Sequence, residues 1–302
     1  VEILLVMPDL TQKNNKVGGL YLIAEIFVTF VLASIVKILQ PDFSVFLILF
    51  FRYLFCLPLL VAYAVYTRGY NFLKIQNIKG LALRSSFGFL GLLMWFLAIT
   101  KIDISLATAL LMTMPIFITG LSVVIAKEQV GVRRLGSVIL GFFGVLVLLL
   151  PINPELNIWG AIFALLGALF AALMFVYLRI LGRSDPPVST AIWYNSVGIV
   201  LAGILTYIFG GFTPLINLDG SQAIYVFITL GVIASFQQFF LAQSHMYAEA
   251  SVLAPLHYLS IPFAVCVGIL FFGEVITVKF LIGTFIIIAS TYYIFLREQV
   301  HN

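Results

Sequence analysis

Three ionisable side chains stand inside stretches that are otherwise apolar, and each brings a different chemistry. Glu25 lies in GLYLIAEIFVTFVLA, Arg52 in VFLILFFRYLFCLPLL and His257 in SVLAPLHYLSIPFAV. An ionisable group in such a setting costs roughly 2.5–3.5 kcal/mol on insertion scales and faces the protein interior or a wet cavity. A carboxylate there carries a proton or balances a cationic group. A guanidinium grips a carboxylate or phosphate through two parallel hydrogen bonds. An imidazole passes protons. Each also has a plain structural use: an acid bonded to a neighbouring helix, an arginine paired with an acid or with helix-end carbonyls, a histidine bonded in a helix interface.

Uncharged polar and aromatic residues extend the set. Asn195 follows Trp193 and Tyr194, and Gln237 and Gln238 sit in the middle of another apolar run. Amides there bond to a neighbouring helix or to a ligand. Trp95, Tyr194 and Tyr258 are the aromatics best placed to hold a cationic head group by cation–π contact. Most of the 29 Phe and 13 Tyr are packing or membrane-interface residues. Pro115 and Pro262 fall within apolar runs, where a proline frees a backbone carbonyl and supplies a flex point. Pro255 makes the run around His257 doubly broken.

Signals for other chemistries are thin. The chain has no HExxH, P-loop or GxSxG motif and no paired aspartates for a metal. Its three His and two Cys are scattered, so neither a metal nor a cofactor is expected. Without a nucleotide motif, a self-powered pump is disfavoured. The +4 charge carries no expectation of nucleic acid.

The elements that must hold these residues are membrane spans. Of 302 residues, 63% are hydrophobic and 9% charged, against about 25% charged in a soluble domain. Ten stretches of about twenty apolar residues are predicted to cross the bilayer, near 18–39, 43–66, 80–99, 104–125, 132–150, 157–180, 188–210, 222–246, 250–272 and 278–296. The fold class expected is an all-α membrane protein. Residues 1–17 read as a cytoplasmic lead-in and 297–302 as a cytoplasmic tail. With both ends inside, the inner side carries 12 Lys and Arg and the outer side 3. Arg84 is counted among the inner flanks. Gly88, Gly91, Gly141, Gly144, Gly160 and Gly167 are expected at close helix contacts.

The chain also repeats itself. Pro115 and Pro262 are 147 positions apart, as are Gly136 and Gly283, and Glu128 and Glu274 are 146 apart, as are Ser105 and Ser251. The two units are 18–150 and 157–296. Five spans per unit is odd, so the second enters from the opposite side, giving two inverted five-helix repeats. Inverted repeats with a midplane site are an architecture of secondary transporters. By symmetry Glu128 and Glu274 read as helix-end or gate-side groups on opposite sides. Glu25 and Arg52 differ in depth by roughly 6 Å on the helical rise, which leaves a direct bridge open.

The segment AITKIDISLATALLMTMP (98–115) with Lys127-Glu128, its counterpart ASVLAPLHYLSIPFA (250–264) with Phe272-Gly-Glu-Val, and Arg297-Glu298 resemble the drug/metabolite transporter superfamily, specifically the EamA-type ten-helix group. Lys37 and Arg52 sit where many members carry a Lys and an Arg. One departure is that Leu32–Lys37 lacks the Asp many relatives place there, and the acid here is Glu25. The resemblance implies a cavity lined by spans 1–4 and 6–9, with spans 5 and 10 as scaffold.

The reading is a secondary transporter of a small polar or zwitterionic metabolite, amino acid-like or methylated. It works by alternating access in the inner or plasma membrane, by proton coupling, exchange or facilitated diffusion. Its expected partners are the solute and the lipid bilayer, with a homodimer left open. The alternatives are a membrane-embedded enzyme acting on a lipid-linked substrate and a non-transporting membrane subunit.

Overall fold

The computed structural model describes residues 14–69, 73–114, 116–118, 121, 132–149, 157–181, 185–209, 211–212, 220–248 and 253–301. Among these residues there is no strand. The helices are α1 (Asn15–Leu39), α2 (Val45–Arg68), α3 (Ile78–Ile99), α4 (Ile104–Leu111), α5 (Val132–Leu149), α6 (Ile158–Leu181), α7 (Pro187–Ile208), α8 (Gly220–Tyr247), α9 (Ser260–Phe272) and α10 (Val278–His301). A 3-10 segment, Ala254–Leu259, leads into α9. Most of the lead-in lies outside the described residues. The expected tail is helical, because α10 runs on to His301.

Among the described residues, six helices (α1, α2, α3, α6, α7 and α8) are long and apolar enough to cross a membrane. Shorter apolar helices cover Ile139–Leu149, Leu256–Phe272 and Val278–Ser290. The chain is an all-helical membrane protein.

Two expected spans are not uninterrupted α-helices. α4 stops at Leu111, where the Met112 N–H turns to the carbonyls of Thr108 and Leu110. Pro115 itself lies outside the described residues. A proline four residues on has no N–H to offer the Leu111 carbonyl, which accounts for a helix that ends there. The other is the run around His257, which begins as the 3-10 segment and becomes α only at Ser260. Pro262 falls in the first turn of α9, where a missing N–H costs nothing. It therefore starts a helix and does not interrupt one.

α1 packs on α8, α3 on α6, α2 on α7 and α8, α5 on α10, and α4 on α9 and α6. Leu22, Ile26, Leu47, Ile48, Phe96, Ile99, Ile104 and Leu110 are among the largest fully buried side chains. The α5–α10 contact depends on glycine. A Cβ on Gly144 or on Gly283 would sit 3.0 Å from the other's carbonyl oxygen. Small residues permit such backbone approach in a membrane, where apolar side chains gain nothing by leaving lipid.

Helix ends inside the protein need partners for their free N–H groups. Asp103 stands at the N-cap of α4 but makes no side-chain cap bond. Glu274, from the α9–α10 connector, does the work instead. Its carboxylate accepts the Ile104 N–H at 2.6 Å, the Ser105 N–H at 3.1 Å and the Ser105 hydroxyl at 2.6 Å. Lys37, at the end of α1, donates to it at 3.3 Å. Gly268 makes room, since a Cβ there would collide with Glu274 Oε2. Gly273, at φ +64, turns the chain so that the Glu274 N–H reaches the Gly268 carbonyl at 3.0 Å. Burial and the neighbouring Glu274 push the Asp103 carboxyl above the usual carboxylate range, and Lys37 opposes them. A second carboxylate acts alike at another helix end: Asp185 accepts the Gln76 N–H at 2.6 Å and the Asn77 N–H at 3.2 Å, just before α3.

Replacing Glu274 by Ala strands two buried N–H groups and leaves Lys37 with the Ile102 carbonyl and the Phe272 ring, at a cost of about 3 kcal/mol or more. Thermal unfolding in detergent should record a clear fall in melting temperature. Asp103→Asn, which removes a repelled charge and no cap bond, should cause no fall. Gly268→Ala should destabilise the wild type and do so much less on a Glu274→Ala background, because both changes disturb one contact.

Candidate functional site

α1, α2 and α8 bring an acid and a base to a single amide. Glu25 and Thr29 are one helical turn apart on α1, so both side chains share a face. The Thr29 hydroxyl donates to Glu25 Oε1 at 2.8 Å. Gln237 of α8 donates from Nε2 to the same oxygen at 2.8 Å. Arg52 of α2 donates from Nη2 to Gln237 Oε1 at 3.2 Å. Gln238 donates to that oxygen as well, at 3.2 Å. The amide can only point this way, because a carboxylate accepts and a guanidinium donates. Glu25 and Arg52 are therefore joined through Gln237, spanning the depth difference expected from their places along α1 and α2. Their exposures are 7% and 2%.

Beyond Arg52 the chain of contacts continues toward α3 and α7. The Arg52 guanidinium lies 5.0 Å from the Tyr53 ring centroid. The Tyr53 and Tyr194 hydroxyls are 2.8 Å apart, and their rings meet edge-on at 85°. The Tyr194 hydroxyl also donates to the Gly88 carbonyl at 3.4 Å. Over the Tyr194 ring, at 4.4 Å, lies the guanidinium of Arg84. Arg84 is the seventh residue of α3 and is buried. It is not the interfacial flank charge that the sequence count makes it, although the inner-side excess of Lys and Arg survives its removal. Asn195 is fully buried and donates to the Ala191 carbonyl at 2.7 Å, while its Oδ1 has no partner among the described residues.

The other expected residues stand elsewhere. His257 is on the 3-10 segment, its ring centroid 6.5 Å from that of Phe175 on α6, and Tyr258 follows it half-buried. Neither is a link of the Glu25–Gln237–Arg52 chain. Trp95 is buried against Phe96, with ring centroids 5.6 Å apart, and its Nε1 has no partner among the described residues. Trp193 donates to the Leu73 carbonyl at 3.1 Å and is exposed. A groove beside the α1–α2 connector, lined by Gln40, Asp42, Phe43, Thr100 and Lys101 among others, includes none of the expected residues.

Sequence reasoning passes over three members of the cluster: Thr29, Tyr53 and Arg84. Thr29 carried a legible signal, its i+4 spacing from Glu25. Tyr53 is simply the neighbour of Arg52. Arg84 follows Lys79 closely, and only a depth of roughly 9 Å along α3 separates it from the surface charges. The arrangement can hold an anionic group with guanidinium and a cationic group with carboxylate, and the Tyr rings can shield both from water.

The EamA-like transporter family model matches residues 17–150 and again 158–296. An S-adenosylmethionine uptake transporter of Rickettsia prowazekii is 26% identical over 270 residues, covering 87% of each chain. A riboflavin transporter of Vibrio cholerae is 27% identical over 224 residues, covering 74% of this chain and 73% of its own. A solved crystal structure aligns with 97% of this chain and all of its own at a TM-score of 0.61 and 15% identity, a likeness of fold alone. These matches remove the embedded-enzyme alternative. The chain belongs to the EamA-like transporter family.

Proposed function

We propose that the chain is a secondary carrier moving a small zwitterionic metabolite by alternating access, with Glu25, Gln237 and Arg52 at the centre of its site. The observation that carries this reading is the buried Glu25–Gln237–Arg52 chain. It presents opposite charges to the two ends of one small molecule. Gln237 holds them apart, so that neither side chain fully satisfies the other. The relatives named as S-adenosylmethionine and riboflavin transporters support a small-metabolite cargo. Gln238 and Tyr194 belong to this cluster, and Asn195 follows Tyr194 on α7.

The architecture we infer is ten spans in two inverted repeats, 18–150 and 157–296. The helix pairings support it: α1 packs on α8 as α3 packs on α6, and α2 meets α8 as α3 meets α7. Adding five to each helix number carries one member of each pair of contacts into the other. Family matches to 17–150 and 158–296 follow the same division. Alternating access then rocks one unit against the other, flexing at Pro115 in span 4 and at the 3-10 to α junction just before Pro262. The inner-side excess of Lys and Arg supports cytoplasmic termini in an inner or plasma membrane. Glu25 couples protons or meets the solute's cation directly.

Reconstituted in proteoliposomes and screened over amino acid-like and methylated zwitterions, the chain should give saturable flux of at least one solute. Glu25→Gln should reduce that flux tenfold or more and alter its pH dependence. No flux of any solute, with or without a pH gradient, would overturn the carrier reading. Unchanged flux and pH dependence in Glu25→Gln would take Glu25 out of the site.

A further inference from the structure

We propose that Arg84 and Arg52 together form an oxyanion subsite that receives the carboxylate of the transported solute, with the Tyr53–Tyr194 pair holding the two guanidinium groups at its walls. The inference rests on the carrier reading for the source of its ligand, and it adds a residue and a ligand class to that site.

The two arginines have unmet donors. Nε and Nη1 of Arg52, and Nε and Nη1 of Arg84, are buried without a hydrogen-bond partner among the described residues. Arg52 has one bond, to Gln237. Arg84 has only the face of the Tyr194 ring, 4.4 Å away. Arginine cannot shed its proton to escape burial. Taking a charged group out of water costs several kcal/mol even after the surroundings relax. Ionisable groups in a membrane interior pair with an opposite charge or with carbonyls, or mark a substrate pathway.

Charge says what the visitor is. The cluster holds two guanidinium groups and one carboxylate, Glu25, which reaches Arg52 through Gln237. The excess at the guanidinium pair is positive, so this end of the site takes the anionic end of the solute. The guanidinium fork suits a planar carboxylate, whose two oxygens take parallel N–H donors.

The aromatic pair gives the subsite its shape. Arg52 lies over Tyr53, Arg84 lies over Tyr194, and the two hydroxyls meet at 2.8 Å. Cation–π contact holds each guanidinium over a ring. Nε and Nη1 of each are left for a ligand. Tyr53 sits on α2 with Arg52, Arg84 on α3 and Tyr194 on α7, so an occupant would join helices of both repeats.

The test uses the purified full chain in detergent at constant ionic strength. Thermal unfolding is followed in sodium acetate, in inorganic phosphate, and in chloride with acetamide as the neutral isostere of acetate. The wild type should gain several degrees from acetate and nothing from acetamide. Arg84→Met should reduce the apparent acetate affinity tenfold or more. Arg84→Lys, which keeps the charge and loses the fork, should fall between the two and serves if the Met variant does not fold. An acetate response that is absent in the wild type, or equal in the wild type and both Arg84 variants, overturns the subsite. Stabilisation by phosphate but not acetate overturns the carboxylate assignment. Because no transport is measured, an acetate response without flux in proteoliposomes would sink the carrier reading and leave the subsite standing, and flux without the response would do the reverse.

Discussion

Glu274 closes the open end of a helix that begins 170 residues earlier in the chain, and the packing of three helices follows from that contact. Its two oxygens take the first N–H groups of α4 and the Ser105 hydroxyl, and Lys37 locks the end of α1 onto the same carboxylate. A helix starting inside a protein has free donors and a positive dipole end, so a carboxylate is its natural partner. Gly268 keeps the space that this carboxylate fills. With α1 fixed at this end by Lys37, Glu25 is three turns away on a helix whose lateral position is set. The structural cap and the acid of the proposed site are thus parts of one mechanical element.

Away from that cap the governing constraint is what low dielectric does to charge. Among the described residues, the carboxylate and guanidinium groups buried within membrane spans are Glu25, Arg52 and Arg84, and they gather in one cluster. Glu25, Arg52 and Arg84 share Gln237 and the Tyr53–Tyr194 pair as their polar surroundings. The acid is well supplied with donors, whereas the arginines are not. This asymmetry is why we read the cluster as a site for an anion and not as a structural ion pair.

Much of this was legible in the sequence, because bilayer thickness and the cost of buried charge act on sequence directly. Apolar runs located the helices, with α1, α2, α3, α5, α6, α7 and α8 beginning and ending within a few residues of expectation. Glu25 and Arg52 stood out by type alone, and Glu274 was readable as a helix-end group from its place after an apolar run. What could not be read was contact across helices. Gln237 was one of two mid-span amides, and nothing in its own run shows that it faces both α1 and α2. Arg84 was misassigned because charge near a span's start has two destinations, the interface or the interior, and side-chain direction decides between them. The interruption of α4 illustrates a third limit. Pro115 announced a break, but the helix ends four residues before the proline, where the carbonyl it cannot serve is located.

We infer that acid, amide and base form one solute site between α1, α2 and α8. A cryo-EM structure of the chain with its transported solute bound would decide this. Solute density is expected between the Glu25 carboxylate and the Arg52 guanidinium, with Gln237 displaced from at least one of them. Solute density in the groove beside Gln40 and Lys101, with the Glu25–Gln237–Arg52 bonds intact, would contradict it.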